Sequence, residues 1–365
     1  MSLTTSSLAE AGPLGGWTGP TVDVDVHARF AGLRTIWGHL TPMWRDFITE
    51  RGYPGPFSVD TVYPPNAPST VATRWRRESG PQAGGELAVV TEDLLDAWPV
   101  QQAILNCYAG LDSVRHPDLA AAIARAVNDW LVAEWLERDP RLKASLVIPM
   151  HTYDDMVREI RRVGGHPGFV QVLLPVRSPA LYGKRNWYPV YEAMLEHDLV
   201  AGLHHGGTSD GAPTPCGWPS WYIEERAGEQ QIWMSQLTNI VAEGLFQKFP
   251  TLRMAALESG FTWVPSLMWR LDKEWKGLRR TVPWMRTAPS EVIRRHMRFS
   301  TAPIHAGPPA EMARIIDWLG PEMLMFASDY PHEHADDVAG LLAVLPTDRR
   351  EDVMADNART FYRLD

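Results

Sequence analysis

The chain has 365 residues, 45% of them hydrophobic and 22% charged, with a formal net charge of −9. Such a composition supports a sizeable core in one large domain or two modest ones, and excludes a disordered chain. The acidic balance argues against nucleic acid as a partner, because neutralising phosphates needs a net basic face.

Residues 1–18 read as a flexible tail; they include MSLTTSSLAEAGPLGGW, which has neither the basic nor the apolar region of a signal peptide. A strand is predicted over 21–26, followed by an insertion over 31–87 rich in Pro, Gly, Trp and Arg. A strand follows over 100–105, then an amphipathic helix over 118–138 announced by Pro117. Strands over 144–148, 169–174 and 199–203 alternate with helices over 154–163 and 187–197. A second insertion, 206–229, is rich in Gly, Pro and Ser. Helices over 230–248, 261–276 and 311–319 then alternate with strands over 252–257, 298–304 and 323–328, and Pro308-Pro309 mark the last helix start. No run of about 18 apolar residues spans a membrane. Cys107 and Cys216 form no CxxC motif, which fits a reducing cytoplasm.

Eight strands, most followed by a helix, define an α/β chain and point to a (β/α)8 barrel as one domain over 19–365; a doubly wound open sheet gives similar alternation. The long insertions follow strands 1 and 5, where inserted loops are usually functional. Their tryptophans Trp37, Trp44, Trp218 and Trp221, with Trp233, could wall an apolar pocket or make oligomer contacts.

The strand ends carry the chemistry. The first reads Asp23-Val24-Asp25-Val26-His27, and strand alternation puts Asp23, Asp25 and His27 on one face, with Asp25 and His27 as adjacent ligands for a cation. The fifth ends in His204-His205, the sixth in Glu258-Ser259, the eighth in Ser328-Asp329-Tyr330-Pro331-His332. In a barrel all eight tops converge on one cavity, so distant positions become one constellation. Each residue alone has a plain structural role open to it: Asp329 as a helix cap, His204 as a core histidine, Glu258 as the cap of the next helix. Together, imidazoles and carboxylates without a thiolate suit one divalent metal, Zn²⁺ foremost, with Mn²⁺ or Fe²⁺ as alternatives. Leu173-Leu174-Pro175-Val176 offers no lysine to bridge two metals, which favours one. Arg177 and Arg29 are candidate carboxylate clamps, since a guanidinium pairs bidentately, or solvent-facing loop residues. Glu333, His334 and Asp336 read as the solvated start of the next connection.

The motifs VDVDVH, LHHGG, FPTLRMAALESGFTWVPSLMWRLD and FASDYPH together resemble the amidohydrolase-related group that includes aminocarboxymuconate-semialdehyde decarboxylase, from about Val22 to about Arg363. The resemblance implies a distorted barrel with a metal at the strand tops and a homo-oligomer. It places Asp25 and His27 at the first-strand ligand positions, with an acid where the common pattern has its first His. It places His204 at the fifth-strand ligand, with His205 as the alternative or a substrate contact, and Asp329 at the eighth, as a ligand or proton carrier. The sixth-strand position, a catalytic His in the decarboxylase, is Glu258 here. That departure leaves Glu258 as a base or an extra ligand. His332, a turn from Asp329, is a further catalytic candidate that orients a ligand or binds substrate in the pocket, or a surface residue. The expected activity is metal-dependent hydrolysis or non-oxidative decarboxylation of a small carboxylated molecule. The alternatives are a non-haem iron or manganese oxygenase, with Glu258 and His332 completing a second metal site, and a non-catalytic subunit paired with a homologous chain.

Overall fold

The computed structural model describes residues 14–29, 32–56, 71–207, 212, 216–305, 307–332, 334 and 336–364. Parallel strands β1 (Thr21–Val26), β2 (Val100–Leu105), β3 (Leu142–Leu146), β4 (Phe169–Pro175), β5 (Val200–His204), β6 (Met254–Leu257), β7 (Met297–Ser300) and β8 (Leu324–Met325) lie in sequential order in one sheet. The sheet closes where Val24 N–H donates to the Phe326 carbonyl at 3.1 Å and His27 N–H to the Tyr330 carbonyl at 2.8 Å. The fold is therefore the (β/α)8 barrel, not the open sheet.

Apolar runs locate the strands but overrun the ladder at the top. Phe326 and Ala327 are buried, yet Phe326 N–H turns to the Val353 carbonyl and Ala327 N–H to the Thr301 hydroxyl, so β8 is two residues long. Burial makes a run apolar; only pairing makes it a strand.

The helices follow their predicted faces. Pro117–Leu131 buries Leu119, Ile123, Val127 and Trp130, a stripe at three- and four-residue spacing. Pro117 and Pro309 open their helices, where a missing N–H costs nothing. The helix expected over 230–248 is broken instead: Gln230–Ala242 ends before Gly244, whose φ of 74° suits glycine, and a short turn Leu245–Lys248 follows.

Both insertions carry helices, Pro42–Arg51 in the first and Tyr222–Gly228 in the second, so neither is the plain loop its composition implies. Of the expected tail, residues 1–13 lie outside the described residues, whereas Leu14 is buried in the core and Gly15 packs so tightly on Ala339 that a Cβ would lie 2.4 Å from its backbone nitrogen. Among the described residues no helix is long and apolar enough to cross a membrane.

Candidate metal centre

Alternation along β1 places Val22, Val24 and Val26 opposite Asp23, Asp25 and His27, and every one of them is buried. Asp25, His27, His204 and Asp329, from β1, β5 and the turn after β8, bring one ligand atom each within 4.8 Å of one another. His27 Nε2 lies 2.8 Å from Asp329 Oδ1 and 3.5 Å from Asp25 Oδ1; His204 Nε2 lies 3.2 Å from Asp25 Oδ1. Asp329 and Glu258 both hold left-handed backbone, at φ 52° and 53°. That conformation costs a non-glycine residue roughly 1–2 kcal/mol, and such strain concentrates where a side chain must be aimed.

The residues fit a cation. Asp25 Oδ2 is buried without a hydrogen-bond partner among the described residues. His204 Nδ1–H donates to its neighbour's carbonyl at 2.7 Å, which turns Nε2 toward the cluster, the arrangement that orients a metal-binding imidazole. With neutral imidazoles the two carboxylates leave two negative charges, which one divalent ion would balance. Without an ion, protons must serve: burial pushes His204 down, but the Asp25 carboxylate outweighs it and holds the ring at about 10. Burial likewise opposes the charge on Asp329, yet the His332 charge and hydrogen bonds from His27, His332 and His334 keep it well below the usual carboxylate range.

Beneath the cluster lies a polar network that the strand-end residues gave no hint of. Asn106 Nδ2 donates to Asp25 Oδ1 at 2.7 Å, while Asn106 Oδ1 accepts from Ser145 Oγ and from Gln171 Nε2 at 3.0 Å. Tyr362 O–H, from the C-terminal helix, closes the chain on Gln171 Oε1 at 2.9 Å. Gly202 has no side chain because a Cβ there would meet Gln171 Oε1 at 2.6 Å. Asp23 shares the face but not the cluster: its Oδ1 accepts from the Asp25 and Ser328 N–H groups.

Glu258, His332 and His334 flank Asp329 on the other side. His332 Nδ1 sits 3.1 Å from Asp329 Oδ1, and His334 Nε2 contacts Asp329 Oδ2 and lies 3.3 Å from Glu258 Oε1. His334 thus belongs to the site, and Asp336 accepts from Ile304 N–H at 2.8 Å; neither is the solvated residue that a charged connection implies, while Glu333 falls outside the described residues. Arg226, unforeseen because it comes from the insertion, donates to His205 Nε2 at 2.9 Å, Glu258 Oε1 at 3.0 Å and His334 Nδ1 at 3.1 Å. His205 turns away from the four ligand atoms, with Nδ1 facing Glu229; burial first, then the Arg226 and Arg177 charges, keep it well below its usual value despite Glu258. Arg177 is no open clamp: it is paired with Glu225, with Glu229 at 4.0 Å. Arg29 has an exposed side chain, and its backbone N–H donates to the Gly84 carbonyl. Of the tryptophans, Trp233 is core, whereas Trp218 and Trp221 are 60% and 72% exposed.

A family-wide sequence profile described as amidohydrolase matches residues 22–364. The chain belongs to the amidohydrolase family. A curated relative, the gamma-resorcylate decarboxylase of Rhodococcus jostii strain RHA1, is 23% identical over 299 residues, covering 74% of this chain and 86% of that one. Among solved structures, 5-carboxyvanillate decarboxylase from Sphingomonas paucimobilis superposes with a TM-score of 0.68 at 20% identity, over 95% of this chain and 99% of that one. A dihydroxybenzoic acid decarboxylase from Polaromonas sp. JS666, with bound manganese and the inhibitor 2-nitroresorcinol, gives 0.67 at 17% identity, over 95% and 98%. The fold is shared, and the donor set supports a single divalent metal.

Proposed function

We propose that this protein is a metal-dependent, non-oxidative decarboxylase of a small aromatic carboxylate. The observation that carries the reading is the convergence of Asp25, His27, His204 and Asp329 with one Asp25 oxygen left unsatisfied among the described residues, in an amidohydrolase chain whose β4 end offers no second-metal lysine. Decarboxylase relatives support the choice over hydrolysis. Manganese in a related structure makes Mn²⁺ an equal of the zinc expected from the ligand types.

In the reaction the bond between ring carbon and carboxylate breaks, carbon dioxide leaves, and a proton takes its place on the ring. A divalent ion held by the four ligands supplies fixed positive charge for the anionic substrate. The protein's residues do the rest. Asn106 holds Asp25 in place, and the His205 carbonyl holds His204. Asp329 and Glu258 are the carboxylates placed to carry the proton, side by side around His334. Burial of the cluster excludes water that would compete for it.

The test is incubation of metal-loaded protein with 2,6-dihydroxybenzoate and 5-carboxyvanillate, following carbon dioxide and, in D₂O, deuterium at the vacated ring carbon. Carbon dioxide release without oxygen supports the reading. Cleavage of amides without decarboxylation of any aromatic acid, or strict dependence on oxygen, refutes it.

A further inference from the structure

The hydrogen bonds below Asp25 run in one direction, and the carboxylate sets it. A carboxylate only accepts, so Asn106 turns its NH2 to Asp25 and its oxygen away, toward Ser145 and Gln171. That oxygen needs donors, so Gln171 turns its NH2 to Asn106 and its Oε1 to the Tyr362 O–H, 2.9 Å away. Tyr362 is the far end of the chain of bonds and belongs to the last helix, Asn357–Tyr362. Its ring, Phe361 and Ala358 pack with Val22, Ile104 and Val200 in one apolar cluster. Asn357 Nδ2 pins the helix to the Leu324 carbonyl at 2.8 Å, and Arg253 donates to the Phe361 carbonyl. A phenyl ring would fill this apolar space as well as a phenol does, and a buried hydroxyl costs free energy unless it is hydrogen-bonded. What the hydroxyl adds is a fixed Gln171.

We propose that Tyr362 is a positioning residue for the metal centre: through Gln171 and Asn106 its hydroxyl fixes Asp25 Oδ1 from the opposite end of the barrel, so that docking of the last helix and metal binding are linked. Gln171 is the third residue of β4, near the strand's N-terminal end, whereas the ligands stand at the C-terminal ends, so Tyr362 acts only through other residues. Without the phenolic donor, Gln171 Oε1 loses its hydrogen bond, and the side chain is free to turn its NH2 away from Asn106. Asn106 Oδ1 then keeps one donor of two, and the amide beneath Asp25 is no longer held rigidly. Linkage is reciprocal: whatever the docked helix adds to metal affinity, a bound ion returns to the docking of the helix. The inference rests on the metal centre and holds whichever reaction the site performs.

The experiment pairs hydrogen exchange with manganese affinity on the full chain. In the wild type, manganese loading should slow amide exchange in the last helix more than in the core helix Pro117–Leu131, which reports general stabilisation. Tyr362→Phe should lower manganese affinity, read by chelator competition, by about 3- to 10-fold, the worth of one neutral hydrogen bond. In an Asn106→Ala background, where the chain of bonds is already cut, the same change should move affinity by less than about twofold. Equal losses in both backgrounds mean general loosening and overturn the proposal, as does unchanged affinity in Tyr362→Phe beside tight wild-type binding. A wild type that binds no divalent ion overturns the metal centre and the proposal with it. The wild-type exchange decides the linkage even where Tyr362→Phe does not fold: a last helix that responds to manganese no more than Pro117–Leu131 refutes it.

Discussion

Asn106→Ala tests whether the metal ligands are held from below. Asp25 Oδ1 accepts from Asn106 Nδ2 at 2.7 Å, and Asp25 Oδ2 has no hydrogen-bond partner among the described residues, so Asn106 is the amide that sets the carboxylate's orientation. A hydrogen bond to a charged group contributes about 1.5–3 kcal/mol. Removing it lets Asp25 rotate, and re-ordering it on metal binding returns most of that cost as lost affinity, roughly 10- to 100-fold. Gln171 Nε2 still donates to Ser145 Oγ at 2.6 Å, whereas the buried Ser145 hydroxyl loses the Asn106 Oδ1 acceptor, which adds to the general destabilisation. Affinity for Mn²⁺ or Zn²⁺ would be measured by chelator competition, and urea unfolding of the chelated protein would separate general destabilisation, expected at about 2–4 kcal/mol for a buried truncation. Wild-type metal affinity in a folded Asn106→Ala protein would refute the view that Asn106 orients Asp25.

His27→Ala and His204→Ala, each removing one of four ligands, should purify with less than about a tenth of the wild-type metal content in elemental analysis, reflecting a loss of several kcal/mol of binding. Glu258→Gln should keep the bound metal and lower kcat by about 10²-fold or more in the carbon dioxide assay, the usual share of a proton carrier; unchanged kcat would remove Glu258 from the chemistry. Gly207→Ala, in the LHHGG motif, should destabilise by about 2–4 kcal/mol in thermal unfolding, because the residue has φ 97° and a Cβ would lie 2.3 Å from the Arg177 carbonyl oxygen. His296 is held below its usual 6.5 by burial, stacked on Phe246 with Nδ1–H on the Leu252 carbonyl. The unfolded chain therefore takes up the proton first: this residue's contribution is full above about 6.5 and shrinks as the pH falls below it. The stability gap between wild type and His296→Gln should narrow toward acid in urea titrations.

The sequence by itself determined the alternation of eight strands with helices, because burial on both faces writes apolar runs and amphipathic stripes that need no partner to be read. It determined that acids and imidazoles stand at the strand ends, and the chain's likeness to a known family singled out Asp25, His27, His204 and Asp329, which the fold brings together. Tertiary structure alone decided the rest. Closure of the sheet brings β8 to β1 and so Asp329 to His27. Asn106 ends an apolar strand as quietly as any polar residue, and Gln171 interrupts one; their meaning depends on facing Asp25 and each other across β2, β3 and β4. Arg226 sits in a helix of the second insertion, with no periodic or motif signal, and acquires a role only because that helix lays its guanidinium between His205, Glu258 and His334. Arg177 shows the converse: a guanidinium at a strand end reads as an open clamp until the same insertion delivers Glu225 to it. Local patterns record which surface a residue buries, whereas a charge's role is set by the charges it meets, and these come from distant parts of the chain.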